Sequence, residues 1–137
     1  MANNIKAQQE ILEKLSIYAL NSMQTSAIES IEKNEKTILL SPTGTGKTLA
    51  FLLPLLDALD PEIEEVQALI VVPSRELAIQ IETVIRNMGS GYKANAIYGG
   101  RSIAKDKIEL KHTPAILIGT PGRLADHFEQ ARFTTKF

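Results

Sequence analysis

A glycine-rich segment, residues 41–48, has the residue types and spacing that bind polyphosphate. It reads Ser-Pro-Thr-Gly-Thr-Gly-Lys-Thr, follows the apolar run 37–40 and precedes an apolar helical pattern. A strand, a glycine-rich turn and a helix in this order form a phosphate-binding loop, with backbone N–H groups at the start of the helix. In such a loop Lys47 reaches the β- and γ-phosphates, and the Thr48 hydroxyl binds Mg²⁺.

Ser41 stands where the general pattern has glycine, and its small side chain still allows a tight turn. The alternative interpretation is a surface turn rich in Gly and Thr with a solvated lysine. The order of the flanking elements argues against that alternative. We predict Lys47 and Thr48 as catalytic residues and Thr48 as the metal ligand. The residues expected to contact the phosphates are Ser41, Thr43, Gly44, Thr45, Gly46, Lys47 and Thr48.

The composition fits one ordinary globular domain. The chain has 137 residues, a hydrophobic content of 44% and a net charge of −1, so no basic excess indicates nucleic acid. Because the chain has no cysteine, thiol catalysis and cysteine-based metal sites are excluded. No signal peptide or bilayer-spanning apolar stretch is visible, so we expect a soluble, cytoplasmic protein without a membrane partner.

Apolar runs and helical patterns alternate along the chain, which predicts an α/β fold with a parallel sheet flanked by helices. The run 68–72 is continuous and β-branched, as expected for a strand buried on both faces. The predicted strands are 37–40, 68–72, 93–98 and 115–118. The predicted helices are about 5–15, 22–33, 47–59, 74–88, 102–110 and 121–130. The loops that follow such strands form the ligand-binding edge of the sheet.

Three further motifs follow the later strands. They read Pro-Ser-Arg-Glu-Leu-Ala at 73–78, Gly-Gly at 99–100 and Thr-Pro-Gly-Arg-Leu at 120–124. Ser74 and Thr120 can each cap a helix whose free N–H groups suit a phosphate. Taken singly, each motif could equally be ordinary strand-to-helix punctuation with a surface arginine. The charged run at 105–107 and the two histidines, His112 and His127, are expected at the surface, with no chemistry.

Together and in this order, the motifs resemble those of DEAD-box RNA helicases over about residues 16–130. The resemblance implies a P-loop NTPase domain of the RecA-like type that uses ATP and Mg²⁺. It also implies contacts with the RNA sugar-phosphate backbone, which carry no base specificity. The implied RNA-binding residues are Pro73, Ser74, Arg75, Gly99, Gly100, Thr120, Pro121, Gly122 and Arg123, with Arg101 a weaker candidate.

Gln24 matches the glutamine with which this family reads adenine, upstream of the phosphate loop. A side-chain amide offers a donor and an acceptor, so it can pair with the adenine edge. The residues alone equally allow a capping box, because Asn21 three positions earlier can be the N-cap. The usual aromatic residue is missing before Gln24, so Ile17 or Tyr18 is expected to stack on adenine.

No Asp-Glu-x-Asp sequence occurs in the chain, although the family resemblance implies one after the last predicted helix. We therefore expect a domain truncated before the Asp-Glu-Ala-Asp strand: a partial RecA-like domain over 1–137, with N-terminal helices at 1–35 that carry the adenine motif. We expect such a chain alone to bind ATP without turnover and to self-associate through exposed strand edges. The alternatives are a non-catalytic nucleotide- or RNA-binding module and an unrelated P-loop ATPase, which would leave Arg75 and Arg123 unexplained.

Overall fold

Helices alternate with three short parallel strands in the part of the chain that the structure describes. The structure is a computed structural model that describes residues 5–100, 102–132 and 135. Its helices are α1 (Gln8–Lys14), α2 (Ser22–Lys33), α3 (Lys47–Asp57), α4 (Arg75–Met88), α5 (Ile103–Leu110) and α6 (Pro121–Glu129). Its strands are β1 (Ala68–Val71), β2 (Ala94–Ile97) and β3 (Ile116–Gly119). The α/β fold with a parallel sheet is therefore confirmed.

The sheet has the order β1-β3-β2, so the last strand in sequence lies at its centre. Both outer strands pair with β3 in parallel, and Ala68 and Ala94 both lie opposite Ile116. All four residues of β3 are buried, as a strand covered on both faces requires. The prediction that β1 is buried on both faces is wrong, because β1 is an edge strand and its Val71 is 56% exposed.

The predicted strand at 37–40 is also wrong. The segment forms no ladder with any described residue, and Ile38 and Leu40 are 88% and 89% exposed. A strand exists only when its backbone N–H and C=O groups pair with a neighbour, and an apolar sequence cannot supply that neighbour. The chain therefore enters the phosphate loop through an irregular segment.

Alternate residues of β3 contribute to two separate apolar layers. Ile116 and Ile118 belong to the cluster that includes α1, α3 and α4, whereas Leu117 belongs to a smaller cluster with Leu110 of α5 and Leu124 of α6. This division follows from the alternation of side chains along a strand. Helices thus pack against both faces of the sheet. This packing fixes the edge of the sheet at which its strands end.

Most predicted helix signals are confirmed. Asn21 caps α2, and Ser74 caps α4 by accepting a hydrogen bond from the Leu77 N–H at 3.3 Å. Gly89 ends α4 in the left-handed conformation, with φ of 59°. The first helix begins later than predicted, at Gln8, where the Glu10 carboxylate accepts a hydrogen bond from the Ala7 N–H.

The two edges of the sheet differ. At β2 the Ala96 N–H donates to the Glu82 carboxylate at 2.6 Å, so a side chain of α4 covers this edge. On the β1 side an isolated parallel bridge joins Val66 to Thr135, just before the strand begins. Among the described residues nothing pairs with the outer side of β1 itself. No described helix is both long and apolar enough to cross a membrane.

Candidate functional site

The glycine-rich segment forms a closed loop at the start of α3. Gly44 and Gly46 have φ angles of 82° and 89°, in the left-handed region that favours glycine. The Lys47 ammonium donates to the Ser41 carbonyl at 2.6 Å, and the Thr45 hydroxyl donates to the Pro42 carbonyl at 2.7 Å. Gly46 is the N-cap of α3 and offers no capping side chain, so no side chain at this position caps the N–H groups of the first turn.

Two side chains at the beginning of α2 donate hydrogen bonds to carbonyl groups of this loop. Asn21 donates from Nδ2 to the Thr45 carbonyl at 3.0 Å, and Gln24 donates from Nε2 to the Gly46 carbonyl at 3.3 Å. A Cβ atom built at Gly46 would overlap the Gln24 amide, so that amide would have to move, and the left-handed backbone there favours glycine. The sequence predicted Asn21 only as a helix cap, and its contact with Thr45 emerges from the structure.

Gln24 uses half of its hydrogen-bonding capacity within the protein. Its Oε1 accepts from the Asn21 N–H at 3.0 Å, which completes the capping box that the sequence allowed as an alternative. With the bond to Gly46, one N–H and one lone pair of the amide have no partner among the residues that the structure describes. Ile17 is half-buried against the main core, whereas the Tyr18 side chain is fully exposed.

A cavity of about 630 Å³ opens beside the loop. Its polar wall comes from the loop and the start of α3, including Thr43, Lys47 and Thr48, and its apolar wall includes Leu77 and Ile81 of α4. A helix N-terminus, a lysine and a threonine hydroxyl on one wall fit a polyphosphate with a divalent cation. Five of the seven predicted phosphate-binding residues line this cavity, namely Thr43, Gly44, Gly46, Lys47 and Thr48, whereas Ser41 and Thr45 do not.

The three later motifs leave the sheet side by side. At the end of β1 the Val72 N–H donates to the Gly119 carbonyl at 3.0 Å, and at the end of β3 the Thr120 N–H donates to the Ile97 carbonyl at 3.3 Å. Because all three strands are parallel, the loops that follow them share one edge of the sheet. The structure therefore groups the motifs that the sequence placed far apart.

Arg75 lies at this edge with 60% of its side chain exposed. It forms an ion pair with Glu76 at 3.1 Å, and a Cβ atom built at Gly100 would lie 3.3 Å from the Arg75 Nη1. The pKa of the Glu76 carboxyl is lowered, mainly by a hydrogen bond from the Glu76 backbone N–H and to a smaller extent by the Arg75 side chain. Glu76 thus contacts its neighbour Arg75 within the loop. Space around Gly99 and Gly122 is open, and Arg101 lies outside the described residues.

Arg123 is oriented differently from Arg75. Only 13% of its side chain is exposed, and its Nε donates to the Asp106 carboxylate at 2.8 Å. Asp106 and His127, both expected at the surface, are completely buried and contact each other at 2.9 Å. That surface prediction is wrong for both residues. The signal available in the sequence is spacing, because Asp106 lies one helical turn before the buried Leu110.

Comparisons with known proteins show which sequences and structures this chain is similar to. A family model described as DEAD/DEAH box helicase matches residues 21–137. The chain is 37% identical over 120 residues to the DEAD-box ATP-dependent RNA helicase CshC of Bacillus cereus, covering 86% of this chain and 31% of that protein. It is 34% identical over 138 residues to the ATP-dependent RNA helicase eIF4A of Mycosarcoma maydis, covering 97% of this chain and 34% of that protein.

A solved structure is also similar. It is the crystal structure of a hypothetical ATP-dependent RNA helicase from Sulfolobus tokodaii, with a TM-score of 0.77 and 25% sequence identity. The alignment covers 91% of this chain and 37% of the solved chain. The chain thus spans about a third of the length of each of these three proteins.

Proposed function

Because the chain belongs to the DEAD/DEAH box helicase family, we propose that it is the nucleotide-binding part of an ATP-dependent RNA helicase. The observation that carries the proposal is the phosphate loop, closed by Lys47 and held from behind by Asn21 and Gln24. We propose residues 1–137 as one partial RecA-like domain, in which segment 1–35 supplies the adenine contact.

In this proposal ATP binds in the cavity beside the loop. Lys47 exchanges the Ser41 carbonyl for phosphate oxygens, and the N–H groups at the start of α3 surround the phosphates. The Thr48 hydroxyl is the protein ligand of Mg²⁺, which neutralises phosphate charge when it is bound. Gln24 offers its remaining N–H and lone pair to adenine, so the side chain that supports the loop also reads the base.

RNA is proposed to bind at the edge of the sheet, on the three loops that follow β1, β2 and β3. Ser74 caps α4 there, and the exposed Arg75 supplies a positive charge. Contacts of this kind go to phosphate and sugar, so they position the strand without reading its bases. The choice of RNA over DNA rests on the names of the similar proteins.

Two substitutions separate the two binding activities. Lys47→Ala should weaken binding of a fluorescent ADP analogue roughly ten- to hundredfold, the range that charged hydrogen bonds contribute, and leave RNA binding unchanged without nucleotide. Arg75→Gln should weaken RNA binding and leave binding of the ADP analogue unchanged. Equal nucleotide affinity of Lys47→Ala and the unmodified chain would overturn the nucleotide site, and equal RNA affinity of Arg75→Gln would overturn the RNA site.

The adenine contact has its own test. If Gln24 reads adenine, the unmodified chain should prefer ADP to GDP, and Gln24→Ala should remove most of that preference. Gln24 also completes the capping box. The thermal unfolding of the Gln24→Ala variant must therefore be compared with that of Asn21→Ala, which removes the same cap. A base preference that Gln24→Ala leaves intact would assign adenine recognition to other residues.

A non-catalytic binding module is the second candidate. It is favoured by one observation, the lack of an Asp-Glu-x-Asp sequence in these 137 residues. We propose that this chain alone binds ATP without turning it over, whereas a protein that also carries the acidic motif hydrolyses it. An RNA-stimulated ATPase assay on the 137-residue chain tests this, and robust turnover would contradict it.

A further inference from the structure

Asp106 ties together two helices that start at the proposed RNA-binding edge. It lies on α5, which follows the Gly99-Gly100 turn, and it is completely buried. Its Oδ2 atom contacts the Arg123 Nε at 2.8 Å and the His127 Nε2 at 2.9 Å, and both partners lie on α6. One carboxylate oxygen thus fixes α6 to α5 from inside the protein.

The tautomer of His127 follows from its second contact. The Arg132 Nη1 lies 3.0 Å from the His127 Nδ1. Because a guanidinium only donates hydrogen bonds, Nδ1 must accept, and the ring proton then lies on Nε2 and is donated to Asp106. Arg123 supplies a positive charge beside the buried carboxylate.

The two arginines of the edge consequently differ in what they offer a ligand. The Arg75 side chain is 60% exposed, whereas the Arg123 side chain is 13% exposed and donates inward through Nε. At the start of α6 the Thr120 side chain makes no capping hydrogen bond, and the space around Gly122 is open. A phosphate at this point meets backbone N–H groups first.

We propose that Asp106 and Arg123 are positioning residues, which hold the start of α6 so that its backbone N–H groups contact a nucleic-acid phosphate. Arg123 then acts through the position of the helix rather than by its own contact with the phosphate. The inference rests on the proposed RNA-binding function. It assigns Asp106, which the sequence placed on a solvated face, to the nucleic-acid site.

The test is a double-mutant cycle on the 137-residue chain. The probe is a short fluorescein-labelled single-stranded oligouridylate, whose affinity is measured over a range of KCl concentrations. Removing a direct phosphate contact lowers the salt slope by about 0.7 on single strands. We expect that decrease for Arg75→Gln, the matched control. Arg123→Gln should instead weaken binding about tenfold at an unchanged slope, because the phosphate contact is displaced and not removed.

Asp106→Asn should lower the affinity for the oligouridylate as much as Arg123→Gln does. The double variant should bind no more weakly than either single variant, because both substitutions remove the same Asp106–Arg123 interaction. Binding of a fluorescent ADP analogue should stay within about twofold in all variants, since the phosphate loop is built from other elements. If Asp106→Asn does not fold, Arg123→Lys replaces it. Lys keeps the charge but not the planar fork, so positioning predicts weaker RNA binding at unchanged slope.

Several results would overturn the inference. A slope decrease for Arg123→Gln equal to that for Arg75→Gln would make Arg123 a direct phosphate ligand. Additive losses in the double variant, an unchanged affinity of Asp106→Asn, or an unchanged affinity of its substitute Arg123→Lys would remove the positioning role. If the unmodified chain binds the nucleotide but not the oligouridylate, the proposed RNA-binding function itself fails, and the inference falls with it.

Discussion

At the scale of single residues, Gly46 is constrained by both its backbone and its neighbour. Its φ is 89°, and a Cβ atom there would overlap the Gln24 amide. Gly46→Ala should therefore destabilise the fold by about 1–3 kcal/mol and weaken nucleotide binding, measured by urea unfolding and ADP-analogue titration. Gly122→Ala is the matched control, because that position has open space and helical backbone. Equal behaviour of the two variants would contradict the steric argument.

Tyr92 gives a prediction for alkaline pH. Burial, and then the charges of Asp60 and Asp57, raise the pKa of Tyr92, whose hydroxyl donates to the Leu59 carbonyl at 2.9 Å. Because the folded pKa lies above the unfolded value of about 10, the folded state holds the proton more tightly. This contribution to stability is complete below the unfolded pKa and is lost as pH rises through the folded pKa.

Urea unfolding of the unmodified chain and of Tyr92→Phe measures that contribution. The difference in unfolding free energy should shrink as pH rises above the unfolded value of about 10. A difference that stays constant with pH would show that the Tyr92 hydroxyl is not the titrating group.

The sequence predicted the residues of the site better than their contacts. Lys47 and Thr48 are recognisable because a phosphate loop needs fixed residue types at fixed spacing, and the structure gathers them around one cavity. Asp106 and His127 were misplaced, because a charged residue between two lysines is typical of a solvated face. The buried Asp106 is paired with Arg123, seventeen residues away, and no local pattern reveals that pairing.

At the scale of elements, the end of α1 contains a correctable strain. Ser16 has a φ of 58° and forms the left-handed end of the helix. Two backbone hydrogen bonds close this end: the Ser16 N–H donates to the Glu13 carbonyl at 3.0 Å, and the Ile17 N–H donates to the Leu12 carbonyl at 2.9 Å. Glycine adopts this conformation without steric cost. Ser16→Gly should therefore stabilise the protein by about 0.5–1 kcal/mol in urea unfolding.

The matched variant for this position is Ser16→Ala. It removes the hydroxyl but keeps the Cβ atom, so it should give no gain in stability. If alanine stabilises the protein as much as glycine does, the benefit comes from losing the hydroxyl, and backbone strain at Ser16 is not the cause.

Strands were predictable only where the sheet supplies a partner. The runs that became β1, β2 and β3 were found within one or two residues, and for β1 and β3 the reason is that apolar runs with β-branched residues between turn signals are typical of buried strands. The run 37–40 has the same composition, yet it forms no ladder with any described residue. Whether an apolar run becomes a strand therefore depends on its neighbours in space, which the local sequence does not contain.

At the scale of the whole molecule, the two edge strands of the sheet differ in what covers them. The β2 edge is covered by Glu82, whereas the outer side of β1 has no ladder partner among the described residues. Exposed apolar side chains accumulate near the phosphate loop, where Ile38 and Leu40 precede Ser41. Exposed aliphatic side chains favour pairing with another chain.

We therefore predict that the 137-residue chain self-associates in a concentration-dependent manner, measured by sedimentation velocity. Ile38→Lys and Leu40→Lys should shift the chain towards monomer without loss of folding, because both side chains already face solvent and a lysine there opposes association. Ile108→Lys is the matched control: Ile108 is 66% exposed, but it lies on α5, which follows the strand at the opposite edge of the sheet. A monomer at every concentration would refute the prediction, and an equal effect of Ile108→Lys would mean that charge alone, and not this surface, controls the association.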